Sequence, residues 1–231
     1  MDAKKIGVVI ADNWEFEPLK KWAGKYTFDE KTENKNEYIE LDFDTLKIIA
    51  VKCGIGKVNA AFATSFLIFD KKCDIILNVG LSGAIKNLHK NDIVVGSEYI
   101  ECDFDLTAIG RKLGEKPDQD YLYSADEKLL AFAEKCSIDS VCRLGTGDVF
   151  LADRELKNKY SSVFDISAFD METAAIASVC HKTNTPFISI RKISDDCDEN
   201  AMESYRELNK KKETHLSEIL EELLLEIREN Y

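Results

Sequence analysis

The 231-residue chain has few positive charges for its size and no long hydrophobic run. Its 31 Lys and Arg residues stand against 43 Asp and Glu residues, which gives a formal net charge of −12. Because binding to a nucleic-acid phosphate backbone needs a basic surface, we expect no nucleic-acid partner. No segment approaches the roughly 20 apolar residues that a membrane-spanning helix requires, so we expect no membrane association either.

The sequence also lacks the signals of linkers and of secretion. It has only three prolines, no low-complexity segment and no visible repeat, while 45% of its residues are hydrophobic. We therefore expect one globular domain that spans residues 1–231. The first apolar segment, residues 6–11, is too short for the core of a signal peptide and predicts a β-strand.

Disulfide and metal-site patterns are absent as well. The chain has seven cysteines, an odd number, and no CxxC pair. Most of them lie in apolar runs, where a thiol behaves as a small hydrophobic group. The three histidines show no ligand spacing with the cysteines, so we expect no metal site and no cofactor. Reduced cysteines of this kind are typical of a cytoplasmic protein.

The sequence does contain an alternation of strand-like and helix-like segments. Strands are predicted at residues 6–11, 38–43, 45–52, 74–79, 92–100, 141–145, 164–169 and 186–192, and helices at residues 15–24, 58–69, 127–136, 154–160, 171–182 and at the C-terminus. The glycines of Gly54-Ile55-Gly56-Lys57 suit a strand-to-helix turn, since the full phosphate-loop pattern is missing. This alternation predicts a three-layer α/β sandwich with a mixed, mostly parallel central sheet flanked by helices.

Acidic residues and glycines follow five of the predicted strands. They are Asp12, Glu15 and Glu17 after the first strand, the glycine turn Gly80-Leu81-Ser82-Gly83-Ala84, the segment Gly147-Asp148-Val149-Phe150-Leu151, the segment Asp170-Met171-Glu172, and the segment Ser194-Asp195-Asp196. In α/β folds the carboxyl ends of strands form one rim of the sheet, where active sites collect. We therefore expect these five segments to meet at one site.

These motifs resemble, in order and spacing, the nucleoside phosphorylase/nucleosidase superfamily, and within it the 5′-methylthioadenosine/S-adenosylhomocysteine nucleosidases. The resemblance covers nearly the whole chain. It rests on Ile6-Gly7-Val8-Val9, Gly54-Ile55-Gly56-Lys57-Val58, the turn at 80–84, Asp92-Ile93-Val94-Val95, Asp105-Leu106-Thr107-Ala108, Gly147-Asp148-Val149-Phe150, Asp170-Met171-Glu172-Thr173-Ala174-Ala175 and Arg191-Lys192-Ile193-Ser194-Asp195.

The resemblance implies an enzyme that hydrolyses the N-ribosidic bond of methylthioadenosine or adenosylhomocysteine and releases adenine. Such a reaction passes through an oxocarbenium-like ribose and needs a proton for the leaving base. By resemblance, Asp195 protonates the purine, Glu172 holds the ribose hydroxyls and Met171 lies against the sugar. Glu15 matches the glutamate that activates water, although the neighbouring Glu17 and Asp12 remain alternatives.

The resemblance also implies the residues that bind the substrate. Phe150 would stack on the adenine, the backbone of Leu151 would bind the base edge, and Tyr205 would close over the ribose. Asp170, Ser194, Gly83 and Ser82 complete the set within one chain. Ile109 and Pro117 match positions that reach into a neighbouring subunit's site, which implies a homodimer.

Other functions remain open at this stage. A phosphate-dependent purine nucleoside phosphorylase would need arginines around a phosphate dianion, but the first of only six arginines is Arg111. A non-catalytic purine-nucleoside-binding protein, or a hydrolase of another nucleoside such as futalosine, fits the same fold. Three residues depart from the family pattern: Leu81 replaces a small hydroxyl residue, Asp170 a glutamate, and Arg111 a neutral aromatic.

Overall fold

A computed structural model describes residues 3–210 and 215–231 of the chain. Its strands are Lys4–Ile10 (β1), Phe28–Glu33 (β2), Asn36–Phe43 (β3), Leu46–Lys52 (β4), Ile75–Ala84 (β5), Ile93–Glu101 (β6), Leu122–Ser124 (β7), Ser140–Thr146 (β8), Ala168–Asp170 (β9) and Phe187–Asp195 (β10). Its α-helices are Asn13–Ala23 (α1), Lys57–Ser65 (α2), Glu127–Ala133 (α3), Arg154–Phe164 (α4), Thr173–Thr183 (α5), Ala201–Lys210 (α6) and His215–Asn230 (α7). A π-helical turn, Phe66–Asp70, extends α2.

The strands form one mixed sheet. Parallel pairs join β4, β1, β5 and β10 through its centre, and β6, β8 and β9 are also parallel. Antiparallel strands β3 and β2 extend one edge. At the other end β10 pairs with β6 and β9 pairs with β5, so that β5, β10, β6, β8 and β9 close into a ring. This ring brings the carboxyl ends of β5, β8, β9 and β10 together.

Helices cover both faces of the sheet. Helices α1, α3 and α7 pack together on one face, and α2 and α5 pack against each other on the other. The central strands are buried on both sides, as expected for parallel strands between helices. The predicted three-layer α/β fold with a mixed sheet is therefore confirmed.

Two sequence predictions about local structure are wrong. Residues 80–84 do not form a turn, because β5 continues through them and pairs with β10 and β9 there. Residues 164–167 are not a strand, since α4 runs to Phe164 and β9 begins only at Ala168. Strands β2 and β7 and helix α6 were not predicted, because most of their residues are polar or exposed and few of them are large and apolar.

Candidate active site

One cavity of about 360 Å³ lies where the five predicted segments meet. Within a single chain it is lined by Glu15, Ser82, Gly83, Phe150, Leu151, Asp170, Met171, Glu172, Ser194, Asp195 and Tyr205. The prediction that five strand ends form one rim is thus confirmed. Ile109 is exposed and Pro117 half-buried, and neither belongs to the lining that the described residues form.

Glu15 reaches the cavity because β1 runs directly into α1. Asp12 caps this helix by accepting hydrogen bonds from Trp14 N (2.9 Å) and Glu15 N (3.1 Å). The Glu15 carboxylate then accepts hydrogen bonds from Leu81 N (2.7 Å) and Ala11 N (3.2 Å). Glu17, one of the alternatives, is exposed on the same helix and does not line the cavity.

Burial changes the charge state of Glu15. Its pKa is raised from 4.5 to about 8. Desolvation is the largest cause, and the negative charges of Asp12 and Glu172 act in the same direction. The Arg191 guanidinium and the hydrogen bond from Leu81 N oppose the rise. A carboxyl group that titrates near neutral pH is suited to proton transfer.

Glu172 begins helix α5 and is almost fully buried. Its Oε1 accepts a hydrogen bond from Gly56 N at 2.9 Å. Gly56 has a φ of 101°, which L side chains rarely adopt, so glycine is needed where this turn presents its N–H to the carboxylate. Burial raises the pKa of Glu172 to about 7, with Arg191 opposing and Asp170 reinforcing the rise.

A buried arginine, Arg191 on β10, links the acidic groups. Its Nε lies 3.7 Å from Asp170 Oδ2, and its Nη2 lies 3.6 Å from Glu172 Oε2. Its hydrogen bonds go to Ser82 Oγ (2.9 Å), to Asn78 Oδ1 (3.0 Å) and to the Leu81 carbonyl. The guanidinium therefore offsets part of the buried negative charge, which would otherwise be costly.

Asp170 orients the start of α5. Its Oδ1 accepts hydrogen bonds from Thr146 Oγ1, Glu172 N and Thr173 N, each at 2.9 Å. Its Oδ2 accepts from Thr173 Oγ1 at 2.5 Å. Asp170 borders the cavity, but its carboxylate is occupied by these partners. Its position therefore favours a role in placing Glu172 over direct contact with a ligand.

Asp195, at the end of β10, is 3% exposed. Its Oδ2 accepts a hydrogen bond from Ser194 Oγ at 2.6 Å, and its Oδ1 accepts one from Cys197 N at 2.9 Å. Burial raises its pKa, although both hydrogen bonds act in the opposite direction. Gly83 makes this packing possible, because a β-carbon there would lie 2.8 Å from Asp195 Oδ1 and 2.3 Å from Cys197 Sγ.

Two aromatic rings also border the cavity. Phe150 and Tyr205 contact each other edge to face, with ring centroids 5.8 Å apart. The Tyr205 hydroxyl donates a hydrogen bond to Asp12 Oδ2 at 3.0 Å, which ties helix α6 to the start of α1. Leu151 is buried and Met171 half-buried, and both line the cavity.

The loop that carries Phe150 is held by charged residues. Asp148 Oδ1 accepts a hydrogen bond from Lys57 N at 2.8 Å, and Asp148 N donates to Asp103 Oδ2 at 2.8 Å. The Lys57 ammonium lies 2.6 Å from Asp103 and 3.1 Å from Glu101. These contacts connect the Phe150 loop to the glycine turn beneath Glu172.

Comparison with known proteins agrees with this geometry. The family profile described as "Phosphorylase superfamily" matches residues 5–227. The chain belongs to the phosphorylase superfamily. Its similarity to individual members extends over most of its length, so the resemblance predicted from the motifs is confirmed.

Several relatives in this superfamily are nucleosidases. The chain is 34% identical to 5′-methylthioadenosine/S-adenosylhomocysteine nucleosidase of Anoxybacillus flavithermus (80% of this chain, 83% of the relative) and 36% identical to that of Actinobacillus succinogenes (88% and 90%). Among solved structures, it resembles the Helicobacter pylori enzyme of that name, with a TM-score of 0.92, 28% identity and coverage of 98% and 100%. A structure described as futalosine hydrolase of Helicobacter pylori also has a TM-score of 0.92, with 28% identity and coverage of 97% and 98%.

Sequence reasoning assigned no site role to two charged residues of this superfamily member. Arg191 was noted only as part of a motif, yet a charged residue inside the otherwise apolar strand PFISI-R was a usable signal. Asp12 was noted only as an alternative to Glu15, although it borders the cavity itself. Ile55, Met202 and Cys197 also line the cavity; Ile55 was noted only as part of a motif, and no feature of the sequence marked the other two.

Neither a metal site nor a membrane span is found in the parts of the chain that the structure covers. Among residues 3–210 and 215–231, no cluster of three or more His, Cys, Asp or Glu side chains could hold a metal ion. Within the same residues, no helix is both long and apolar enough to cross a membrane.

Proposed function

We propose that this member of the phosphorylase superfamily hydrolyses the N-ribosidic bond of 5′-methylthioadenosine, S-adenosylhomocysteine or both, and releases adenine. The observation that carries the proposal is the grouping of Glu15, Glu172 and Asp195 around one cavity, each with a raised pKa. Raised carboxyl pKa values in a cleft are typical of catalytic acids and bases. The names of the relatives point to the same reaction.

Asp195 is the proposed general acid. The rise in its pKa favours a protonated carboxyl group that can donate to a ring nitrogen of the leaving purine. Ser194 Oγ and Cys197 N fix the carboxyl group at the end of β10. Leu151 and Phe150, which line the same cavity, would hold the purine by its edge and face.

Glu172 and Glu15 are proposed to act on the ribose side. Glu172 is oriented by Gly56 N and would accept hydrogen bonds from the ribose hydroxyls, with Met171 against the sugar. Glu15, held by Leu81 N and Ala11 N, would take a proton from the attacking water. With a pKa of about 8, only about a tenth of Glu15 is ionised at pH 7, and this fraction, which grows as the pH rises towards 8, is available as a base.

The surroundings of Arg191 favour water over phosphate as the nucleophile. A phosphorylase would use arginine N–H groups to hold a phosphate dianion. The Nε, Nη1 and Nη2 groups of Arg191 instead donate to Ser82, Asn78 and the Leu81 carbonyl. Glu15 also borders the cavity, and its ionised form, which the hydrolysis needs, would repel phosphate. A phosphorylase is therefore not favoured.

The buried charges also argue against a non-catalytic binding protein. Three acidic groups with raised pKa values in one cavity reduce the stability of the folded chain. Binding a neutral nucleoside needs hydrogen-bond partners but no general acid. We therefore favour catalysis as the function of Asp195 and Glu15.

We also propose that the active species is a homodimer. Ile55, Val58 and Phe62, at the start of α2, are 52%, 80% and 56% exposed, and Ile109 is 71% exposed. Lys57 connects this helix to Asp103, just before the segment that carries Ile109 and Pro117. A cluster of exposed apolar residues beside a cavity is typical of a subunit interface. In that dimer, Ile109 and Pro117 would reach the partner's cavity.

We also propose a cellular setting for the chain. We place the chain in the cytoplasm, in methionine salvage and nucleoside catabolism, acting as one domain over residues 1–231. All seven cysteines are unpaired, which fits a reducing compartment. The match to one family profile over residues 5–227 favours a single domain.

Base release tests the proposed function. The purified protein is incubated with methylthioadenosine, adenosylhomocysteine, adenosine, inosine and futalosine, each with and without phosphate. We expect adenine and a free ribose product from the first two substrates without phosphate. Activity that requires phosphate and yields a ribose 1-phosphate would contradict the hydrolase, and release from futalosine alone would contradict the substrate.

A further inference from the structure

One charged side chain in the cavity has no part in the proposed reaction. Asp12 borders the cavity, and its nearest described partners there are Tyr205 and Glu15. The cavity lining as a whole is mostly apolar and includes Ile55 and Met202. A carboxylate at an apolar wall is the kind of group that orients a polar ligand.

The two carboxylate oxygens of Asp12 have different partners. Oδ1 caps α1, and asparagine or serine would serve that purpose equally well. Oδ2 accepts the hydrogen bond from the Tyr205 hydroxyl. A carboxylate oxygen accepts more than one hydrogen bond, so Oδ2 can accept from Tyr205 and from a ligand together.

The proposed function determines which part of a nucleoside lies beside Asp12. Asp195 marks the purine end of the cavity, and Glu172 and Glu15 mark the hydroxyl and water side of the ribose. Asp12 and Tyr205, joined by a hydrogen bond, border a part of the cavity to which neither the purine nor the ribose hydroxyls are assigned. The 5′ substituent is the part of the nucleoside that has no partner in this assignment, and it therefore fits beside Asp12.

We infer that Asp12, held by Tyr205, selects nucleosides whose 5′ substituent ends in an ammonium or another hydrogen-bond donor, and disfavours those that end in a carboxylate without an ammonium. The inference rests on the proposed function and extends it to the class of 5′ substituent. An ammonium beside Asp12, such as that of adenosylhomocysteine, gains a charge-assisted hydrogen bond. A carboxylate alone there meets the negative charge of Asp12.

The charge of Asp12 already acts within the site. It is among the groups that raise the pKa of Glu15. Because this coupling requires the two carboxylates to lie close together, a cation bound at Asp12 also lies close to the reacting centre. The 5′ substituent and the water-activating group are therefore electrostatically connected.

Three matched substrates test the inference. They are 5′-deoxyadenosines with an aminoethylthio, a propylthio or a carboxyethylthio group at the 5′ position, so that only the terminal group and its charge differ. Adenine release is measured as kcat/KM for each, with methylthioadenosine as the reference. Dissociation constants for the same three compounds are measured by calorimetry.

The decisive quantity is the ratio of kcat/KM for the aminoethylthio compound to that for the propylthio compound. In Asp12→Asn, which keeps the helix cap but not the charge, we expect this ratio to fall at least about tenfold, the size of one charge-assisted hydrogen bond. The ratio is internal to each variant, so a general loss of activity cancels. Asp12→Ser, a second capping residue, should give the same result, and Glu17→Gln, exposed on the same helix, is the matched control.

Each outcome is decisive. An unchanged ratio in Asp12→Asn and Asp12→Ser would overturn the inference. If both variants are inactive, calorimetry on Asp195→Asn, which should keep the fold and cleave the compounds only slowly, decides, and equal binding of the aminoethylthio and carboxyethylthio compounds would overturn the inference. Failure of the proposed function is recognised separately. In that case none of the compounds, methylthioadenosine included, would release adenine. The preference for the ammonium over the carboxylate would still be measured by the dissociation constants.

Discussion

Replacing Glu15 with glutamine should stabilise the protein at alkaline pH while it abolishes turnover. The carboxylate of Glu15 is held among buried groups, and its pKa is raised from 4.5 to about 8, chiefly by desolvation. The folded chain therefore binds this proton more tightly than the unfolded chain does. Folding stability that is present below about pH 4.5 is lost as the pH rises through 8.

The pKa difference sets the size of the effect. Each pKa unit corresponds to 1.36 kcal/mol, so a rise from 4.5 to about 8 costs about 5 kcal/mol at pH 9. Glutamine cannot ionise, but burying its amide costs roughly 1–3 kcal/mol unless new hydrogen bonds form. We expect Glu15→Gln to be more stable than the unsubstituted protein by about 2–4 kcal/mol at pH 9. At pH 5 the difference should be small or reversed.

Urea unfolding at a fixed protein concentration measures this difference, because dimerisation makes the stability depend on concentration. Midpoints are compared at pH 5, 6, 7, 8 and 9, with adenine release measured in parallel. In thermal melts the gain at pH 9 corresponds to about 5–15 °C for a chain of this length. Glu17→Gln, an exposed change on the same helix, should stay within about 0.5 kcal/mol at every pH.

Two results would refute this reasoning. If Glu15→Gln is less stable than the unsubstituted protein at pH 9, burial of the charge is not the dominant cost at this position. If the stability difference does not change between pH 6 and pH 9, Glu15 does not titrate in that range. Retained turnover in the stabilised variant would separately remove Glu15 as the base.

Three further changes probe the other parts of the site. Asp195→Asn should keep the fold but lower adenine release from saturating methylthioadenosine by about 10²–10⁴-fold. The control Asp196→Asn, at the exposed neighbouring residue, should leave adenine release unchanged. Near-normal release by Asp195→Asn would mean that another group supplies the proton. Gly83→Ala should lower kcat at least about tenfold, because the added β-carbon would lie 2.3 Å from Cys197 Sγ. Adding Cys197→Ala should restore part of the lost activity. A fully active Gly83→Ala variant would contradict the packing argument. Ile109→Asp should yield monomers with reduced activity in sedimentation and kinetic assays, and a fully active monomer would exclude a shared site.

Much of the fold could be predicted because burial leaves a periodic signal. The apolar runs at β1, β5 and β10 and the apolar face of α7 correspond to elements that are buried in the structure. The exposed edge strand β2 and the polar helix α6 lack such a signal, since few of their side chains enter the core. The length of β5 was missed because small residues that resemble a turn are needed there for close packing against Asp195.

The sequence by itself determined the family, most of the strand–helix order and many of the residues around the cavity. It favoured Glu15 over Asp12 and Glu17 through the family resemblance, but it could not show which of these acidic residues faces the cavity. The helix decides: α1 turns Glu15 inward and Glu17 outward, and Tyr205, 193 residues away from Asp12, holds Asp12 at the wall. The role of Arg191 was hidden for the same reason. Periodicity reports whether a side chain is buried, whereas its partners and charge state depend on groups that only the folded chain brings together.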